Sequence, residues 1–330
     1  MKAIKTLAMA ALATAVFASC SNEDGLLQSN YPADNVVRIT TSVDGMNTRA
    51  SYGNSTAKLS SFGFCINNAG NAKYTYDNIK VTQEGSNWNP ATQMLWQNST
   101  TAVDILAYAP YLESTEDANG KVKVFGKSDY SFSVKEDQSN AEDYSSDLIV
   151  YKKTEFTPES NLNTNQAVDV AFTHLLSQLN LTIELRDQFN QDEKKPVTEK
   201  TVTDVKVDGT FIRSKVNFAV DPINVLIDGH QVSKAITPET VAFTKADKTT
   251  DHAIFKYSAI VIPQRVYAGS LCIKFKVDGT DYIWTATDDA EFESGKKYEL
   301  HLLVGKDVVQ GGAITAKPWG PETIIEKETD

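Results

Sequence analysis

The stretch that best indicates the fold class lies near the N terminus and reads Val36-Val37-Arg38-Ile39-Thr40-Thr41-Ser42-Val43. Its β-branched residues alternate with polar ones, so that Val37, Ile39, Thr41 and Val43 lie on one face of an extended chain. Similar alternating runs recur along the rest of the chain, separated by clusters of Gly, Asn and Asp, and almost no segment has a helical period. This pattern predicts an all-β protein.

The length of the chain, 330 residues, suggests two domains of ordinary size. A polar segment at 153–167 contains Pro158 and is the best candidate boundary, because a long apolar alternation begins at Val168. Two tandem antiparallel β-sandwich domains, over residues 50–167 and 168–330, therefore fit best. The Asp-Gly pairs at 208–209, 228–229 and 278–279 predict hairpin turns in the second domain.

The first nineteen residues have the features of an export signal. Lys2 and Lys5 precede an apolar run from Leu7 to Phe17 that is too short to span a bilayer. The run ends in Ala18-Ser19-Cys20, which resembles a bacterial lipobox, and we expect lipid on the Cys20 thiol. Several acyl chains would give stable anchoring at a membrane. The alternative is an ordinary signal peptide over residues 1–19 in which Cys20 is incidental.

Residues 20–49 are predicted to be a propeptide that contains a removable strand. Arg49, followed by Ala50 in a polar stretch, offers a cleavage site for a protease of trypsin-like specificity. Before cleavage, we expect Val37, Ile39, Thr41 and Val43 to fill a groove at a sandwich edge; afterwards a strand of a neighbouring subunit would replace them. The alternative is that Arg49 is an ordinary solvated arginine and the strand is permanent.

The candidate donor of the replacing strand is the C-terminal tail, residues 313–330. Its apolar residues are Ile314, Trp319, Ile324 and Ile325, and the preceding Gly311-Gly312 pair could act as a hinge. The alternative is that Ile314 and Trp319 complete the second sandwich of their own molecule.

The composition argues against several other classes of function. A net charge of −11 disfavours nucleic acid and anionic membrane surfaces as partners. The four histidines, His174, His230, His252 and His301, lack metal-ligand spacing, and we find no nucleotide-binding loop and no nucleophile–base set. We therefore expect no cofactor, no metal and no catalysis. Cys65 and Cys272 are expected to be small side chains on strands rather than a disulfide.

Several short motifs, in this order, resemble those of the fimbrillin-like family, the pilin subunits of type V pili of anaerobic Gram-negative bacteria. They are Arg49-Ala50, Ala107-Tyr108-Ala109-Pro110-Tyr111, Ser146-Asp147-Leu148-Ile149, Phe172-Thr173-His174-Leu175-Leu176-Ser177-Gln178-Leu179, Ile260-Val261-Ile262-Pro263-Gln264, Gly295-Lys296-Lys297-Tyr298-Glu299-Leu300 and Trp319. The run from Phe172 to Leu179 is the most specific of these matches.

The resemblance implies two transthyretin-like sandwiches and a precursor that is lipid-anchored at the outer membrane through Cys20. It also implies a non-catalytic structural subunit of a cell-surface fimbrium, polymerised with other fimbrial subunits by strand exchange. Two alternatives stay open. One is a tip adhesin or anchor subunit of the same fold, with a ligand on a host or bacterial surface; the other is a monomeric glycan-binding outer-membrane lipoprotein. For the tip adhesin, Trp88, Trp96 and Trp284 are the candidate contacts to a glycan or host ligand.

Overall fold

The computed structural model describes residues 30–43, 58–113, 115–116, 122–123, 130–192, 194–229, 233–248 and 251–319. Cys20, Arg49, Ala50, Ile324 and Ile325 lie outside these residues. The strands are β1 (Arg38–Val43), β2 (Ser61–Asn67), β3 (Tyr76–Glu84), β4 (Asn87–Pro90), β5 (Val103–Ala109), β6 (Thr115–Glu116), β7 (Val122–Lys123), β8 (Tyr130–Ser133), β9 (Ile149–Phe156), β10 (Ala167–His174), β11 (Ser177–Leu185), β12 (Val202–Asp208), β13 (Arg213–Asn217), β14 (Asn224–Ile227), β15 (Glu239–Thr244), β16 (Ala253–Val261), β17 (Gln264–Val266), β18 (Cys272–Val277), β19 (Thr280–Thr285), β20 (Ala290–Phe292), β21 (Lys296–Val304), β22 (Val309–Gly311) and β23 (Thr315–Pro318).

Helical structure in the described residues is limited to one α-helix, α1 (Pro158–Asn161), and short 3₁₀ turns that include Ala72–Tyr74 and Asp187–Phe189. The predicted all-β class is confirmed. In the part of the chain that the structure describes, no helix combines the length and the apolar character needed to cross a membrane.

The first half of the molecule is built on a seven-stranded sheet with the order β1-β10-β9-β5-β2-β3-β4. Alternate residues of its strands bury one face in a core that contains Phe62, Ile105, Phe156 and Phe172. The sheet is also buried in part on its other face, where Tyr108 and Val150 join the core of the second half. The two halves therefore share an apolar interface.

The Tyr108 ring packs closely over the backbone of β2. A Cβ atom built on Gly63 would lie 2.2 Å from this ring, so only glycine fits at that position. The Tyr108 hydroxyl donates a hydrogen bond to the carbonyl oxygen of Leu112, 3.1 Å away. Burial raises the pKa of Tyr108 far above its usual value.

The second half contains a six-stranded sheet. Five of its strands follow the order β15-β16-β11-β21-β22, and the sixth, β23, pairs with β21 on the same side as β22. A three-stranded sheet, β12-β18-β19, packs against it over a core that includes Leu181, Phe255, Phe275 and Leu300. A smaller sheet of order β14-β13-β8 brings Phe132 into the same core. Cys65 on β2 and Cys272 on β18 are both free thiols.

Two strand pairings differ from the antiparallel arrangement that we predicted. The strand β1 runs parallel to β10, and β11 runs parallel to β21. Each parallel pair joins strands that are remote in sequence, and a parallel pair needs a long crossover connection rather than a tight turn. The local alternation of residues carries no signal of such a pairing.

The placement of β10 and β8 also differs from the expected domain limits. Residues 168–174 were assigned to the C-terminal domain, but β10 pairs with β1 and β9 in the first sheet. Residues 130–133 were assigned to the N-terminal domain, but β8 pairs with β13. The polar segment at 153–167 contains α1 and a turn that returns the chain to the same sheet. The first sheet therefore continues to His174, and only two residues separate β10 from β11.

Candidate functional site at the sheet edge

The strand β1 lies at one edge of the seven-stranded sheet. It pairs with β10 over its whole length, in a register that sets Ile39 opposite Val168 and Val43 opposite Phe172. Residues 35–37, just before β1, pair with residues 94–96 on the side opposite β10. The backbone N–H of Val37 donates to the Met94 carbonyl at 3.0 Å, and the backbone N–H of Trp96 donates to the Asn35 carbonyl at 2.8 Å. The segment from Asn35 to Val43 is thus held by backbone pairing with two neighbours.

Two side chains of this segment reach the first core: Val37, just before β1, and Ile39 in β1. Val37 is 2% exposed and Ile39 is 7% exposed, and both pack in the same cluster as Val168 and Met94. Thr41, on the same face, is half-buried. Burial of a valine or isoleucine side chain stabilises a fold by about 1.5–3 kcal/mol. Loss of β1 would therefore open an apolar groove in this core.

The polar contacts of β1 lie at the surface. An ion pair joins Arg38 to Asp34 at 2.6 Å, and both side chains are largely exposed. Hydrogen bonding to Arg38 and to the Val36 N–H lowers the pKa of Asp34. The Asn163 side chain donates to the Thr40 hydroxyl at 3.0 Å. The Arg38–Asp34 pair is exposed, and exposed ion pairs contribute little to stability.

The outer edge of β1 borders a slot of about 510 Å³. The opposite wall is β4, at the other end of the seven-stranded sheet, and both strands line the slot. Trp88 lies at its base and packs edge-to-face on Phe62, with ring centroids 5.1 Å apart. Met94 is fully buried beneath it. This slot could not be predicted from the sequence, because it depends on where the chain bends after β4.

The described part of the C-terminal tail is built into its own molecule. The strand β23 pairs antiparallel with the first half of β21, and β22 pairs with the second half. Ile314 packs at the border of the second core, and Trp319 is 5% exposed. This arrangement corresponds to the alternative in which Ile314 and Trp319 complete their own sandwich, so the donor role of residues 313–330 stays a proposal.

Trp319 belongs to a buried cluster where the two halves meet. Its indole stacks on the His174 imidazole, and the His174 Nδ1 atom lies 2.9 Å from the Asp147 Oδ1 atom. The side chains of His174 and Asp147 are both 0% exposed. The backbone N–H of Trp319 donates to the Gly295 carbonyl at 3.0 Å, and the backbone N–H of Gly295 donates to the Leu176 carbonyl at 2.9 Å. The cluster thus ties the tail to the connection between β10 and β11.

Several of the motifs that resemble the fimbrillin-like family meet in this cluster. Ser146-Asp147-Leu148, the run from Phe172 to Leu179, the run from Gly295 to Leu300 and Trp319 are remote in sequence but contact one another here. His174 is a structural residue here, buried and hydrogen-bonded to Asp147. The meeting of the motifs was missed, since nothing in their spacing indicates contact. Their joint occurrence was the available signal.

The three candidate glycan-binding tryptophans occupy different environments. Trp96 is 3% exposed and stacks on Phe156, so it is a core residue. Trp88 and Trp284 are half-buried. Trp284 packs directly on Gly311, because a Cβ atom at Gly311 would lie 2.0 Å from the indole nitrogen. The three rings therefore do not form one binding surface.

A carboxylate and two histidines lie together on the outer face of the six-stranded sheet. Glu184 on β11 contacts His252 Nδ1 at 2.5 Å and His301 Nε2 at 2.6 Å, through different carboxylate oxygens. Burial acts to raise the pKa of Glu184, but the hydrogen bonds to His252 and His301 outweigh it and lower that pKa. Among the described residues, no group of three or more His, Cys, Asp and Glu side chains could hold a metal ion.

Solved structures with the same fold include proteins of two Bacteroides species. One is a candidate cell adhesion protein of Bacteroides ovatus, with 13% identity and a TM-score of 0.60, covering 88% of this chain and 100% of that chain. Another is a candidate cell adhesion protein of Bacteroides uniformis, with 18% identity and a TM-score of 0.55, covering 87% of this chain and 99% of that chain. At these identities the likeness shows the fold alone.

Sequence comparison gives the family. No curated protein sequence is significantly similar to the chain. The sequence profile of the fimbrillin-like family matches residues 48–319, which is more than half of the chain. The chain therefore belongs to the fimbrillin-like family.

Proposed function

We propose that this chain is the precursor of a structural subunit of a cell-surface fimbrium, which polymerises by strand exchange after cleavage between Arg49 and Ala50. The precursor reaches the outer membrane as a lipoprotein through Cys20, and its partners are other fimbrial subunits. It has no catalytic role. Its family membership supports the fimbrial assignment, and the position of β1 supports the exchange mechanism.

The observation that carries the proposal is that β1 is an edge strand with buried side chains and one full-length neighbour, β10. Val37 and Ile39 contribute about 1.5–3 kcal/mol each by burial, and each ladder hydrogen bond adds about 0.5–1.5 kcal/mol. The sum is on the order of 5–10 kcal/mol, comparable to the whole stability of a domain, about 5–15 kcal/mol. A subunit without β1 would bind any strand that matches the vacancy.

Cleavage at Arg49 changes how β1 is held without changing its contacts. In the uncut chain, β1 is tethered to the sheet that it completes and is present at a high effective concentration. After the cut, the same strand belongs to a separate peptide, and its dissociation gains translational and rotational freedom. The proposed processing step therefore converts a stable strand into one that can be displaced.

The test uses the purified precursor and a trace of trypsin. We expect a new N terminus at Ala50, followed by a ladder of oligomers on a gel run without boiling. The Arg49→Ala variant, treated in the same way, should stay monomeric. The proposal fails if the wild-type protein is cut at Arg49 and stays monomeric even after the released peptide is removed by dialysis.

The lipoprotein step has its own test. Cells that express the precursor with a labelled fatty acid should incorporate the label into the wild-type chain but not into the Cys20→Ala variant. Equal labelling of both chains would overturn the assignment of Cys20 while leaving strand exchange intact.

A further inference from the structure

We propose that the slot between β1 and β4 is the first docking site for the C-terminal tail of a second copy, which it receives while β1 is still in place. The inference rests on the proposed strand exchange and specifies where the incoming tail is held before β1 leaves. A tail held there lies beside the groove when β1 leaves, at a high effective concentration for the place that β1 vacates.

The slot exists because the chain turns away from β1. Residues 94–96 pair with residues 35–37 in the antiparallel sense, with Val36 opposite Leu95. Continued pairing would carry residues 91–93 along β1. Instead the chain bends at Ala91, whose N–H donates to the Lys80 carbonyl at 2.8 Å. Among the described residues, the outer edge of β1 beyond Val37 therefore has no strand beside it.

The direction of the Val37 N–H shows which backbone groups face the slot. It points toward Met94, on the side away from β10. Residues two apart in a strand direct their N–H and C=O groups to the same neighbour. Ile39 therefore directs its backbone groups into the slot, and Thr41 directs its own to the same side of β1, with spacing that suits an extended polypeptide. Such an unpaired row is a template for another strand.

The chemistry of the walls favours a segment with apolar residues at its centre and tolerates acidic residues at its ends. Trp88 and Met94 form an apolar base. Arg38 is the one charged residue among those that line the slot; its charge is balanced by the ion pair with Asp34, and no carboxylate lines the slot. This is unusual for a chain with 43 acidic residues and 32 basic ones. A segment that carries negative charge meets no repulsion there.

The segment of this chain that fits the slot is the tail after Trp319. It contains Glu322-Thr323-Ile324-Ile325-Glu326, a β-branched run between two glutamates. Successive side chains of a strand point to opposite faces. One isoleucine therefore faces the apolar base in either orientation of the strand. We assign residues 320–330 of a second copy as the occupant of the slot.

The experiment measures binding to a precursor that cannot lose β1. A labelled peptide of residues 320–330 is titrated into full-length Arg49→Ala protein, and its fluorescence anisotropy is followed. We expect saturable binding and no binding of a scrambled peptide. Removal of the aromatic base in Trp88→Ser should weaken binding by about tenfold or more. Tyr267→Ser, which removes an exposed aromatic ring outside the slot, should leave binding unchanged.

A second variant covers the case in which Trp88→Ser does not fold. Gln93→Trp adds bulk at an exposed position of the slot without removing any core contact, and it should also block the peptide. If the Arg49→Ala protein fails to bind the peptide while cut wild-type subunits polymerise, the slot inference is wrong and strand exchange stands. If cut wild-type subunits do not polymerise at all, the proposed function itself fails. Equal binding of the scrambled peptide also overturns the inference.

Discussion

The indole of Trp319 lies flat on the imidazole of His174, with ring centroids 3.8 Å apart and planes 3° from parallel. The two residues are far apart in sequence: Trp319 follows the last described strand, and His174 ends β10. Through this contact, the described end of the chain is fastened to the connection between the two halves. The hinge expected at Gly311-Gly312 would have to break this contact before the tail could swing out, because Trp319 lies beyond it.

Trp319→Ala should destabilise the protein by about 3–5 kcal/mol, the usual cost of replacing a buried Trp by Ala. Urea unfolding measures the loss. The matched control is Thr315→Ala on the exposed β23, which should stay within about 0.5 kcal/mol of the wild type. Equal stability of the two variants would contradict the burial of Trp319 in its own molecule.

The buried pair of Asp147 and His174 should show strong energetic coupling. Each single change, Asp147→Ala or His174→Ala, removes a hydrogen-bond partner from a fully buried side chain and should cost about 1–3 kcal/mol. A double-mutant cycle measured by urea unfolding should give a coupling energy of about 0.5–3 kcal/mol. The exposed pair of Arg265 and Asp289 serves as control and should couple by less than about 1 kcal/mol. Similar coupling in both pairs would argue against a special role for the buried one.

Gly63→Ala should be strongly destabilising, since the new methyl group would overlap the Tyr108 ring. Overpacking of this kind costs about 1–3 kcal/mol, or more where the neighbours are rigid. The control is Gly70→Ala, where the nearest atom would be 3.8 Å from the new Cβ, and its thermal midpoint should match that of the wild type. A Gly63→Ala protein with an unchanged midpoint would mean that Tyr108 does not pack over β2 as described.

The stabilising contribution of Glu184 should depend on pH in the acidic range. Because its pKa is lowered in the folded state by His252 and His301, its contribution is fully present above its unfolded pKa of about 4.3. It is lost as the pH falls through the lower folded value. The Glu184→Gln variant should be less stable than the wild type at neutral pH, and the difference should shrink toward pH 3. Urea unfolding across this range measures it, and a difference that stayed constant would contradict the lowered pKa.

The strands were predictable because burial alternates along them. In β10, for example, Val168, Val170 and Phe172 are buried while Asp169 and Thr173 are exposed. The hairpin predicted at Asp278-Gly279 is confirmed, since Val277 pairs with Thr280 across it and both turn residues have positive φ. The pairs at 208–209 and 228–229 do not close hairpins, because the strands that flank them pair elsewhere. A turn motif determines the local backbone but not the partner of each strand.

The candidate site was predictable only in part. The alternation of Val37 and Ile39 indicated a strand with a buried face, and both are buried at the sheet edge. The parallel partner of this strand, β10, was not predictable, because no local pattern distinguishes it from a strand of either half. The slot depends on the bend at Ala91, and the cluster at Trp319 depends on four contacts between remote segments. Both arise from tertiary packing, which the alternation of residues does not encode.

The parallel alignment of β1 with β10 has a consequence for any fibre built from these subunits. A strand that takes over the place and register of β1 must run in the same N-to-C direction. Because the same contact between tail and groove then repeats from one subunit to the next, each subunit would point the same way as the one before it. The contact would join two different surfaces, as in heterologous assembly. Such a filament would be polar: one end would present an open groove and the other an unused tail, and a molecule that lacks either element would terminate growth at one end only.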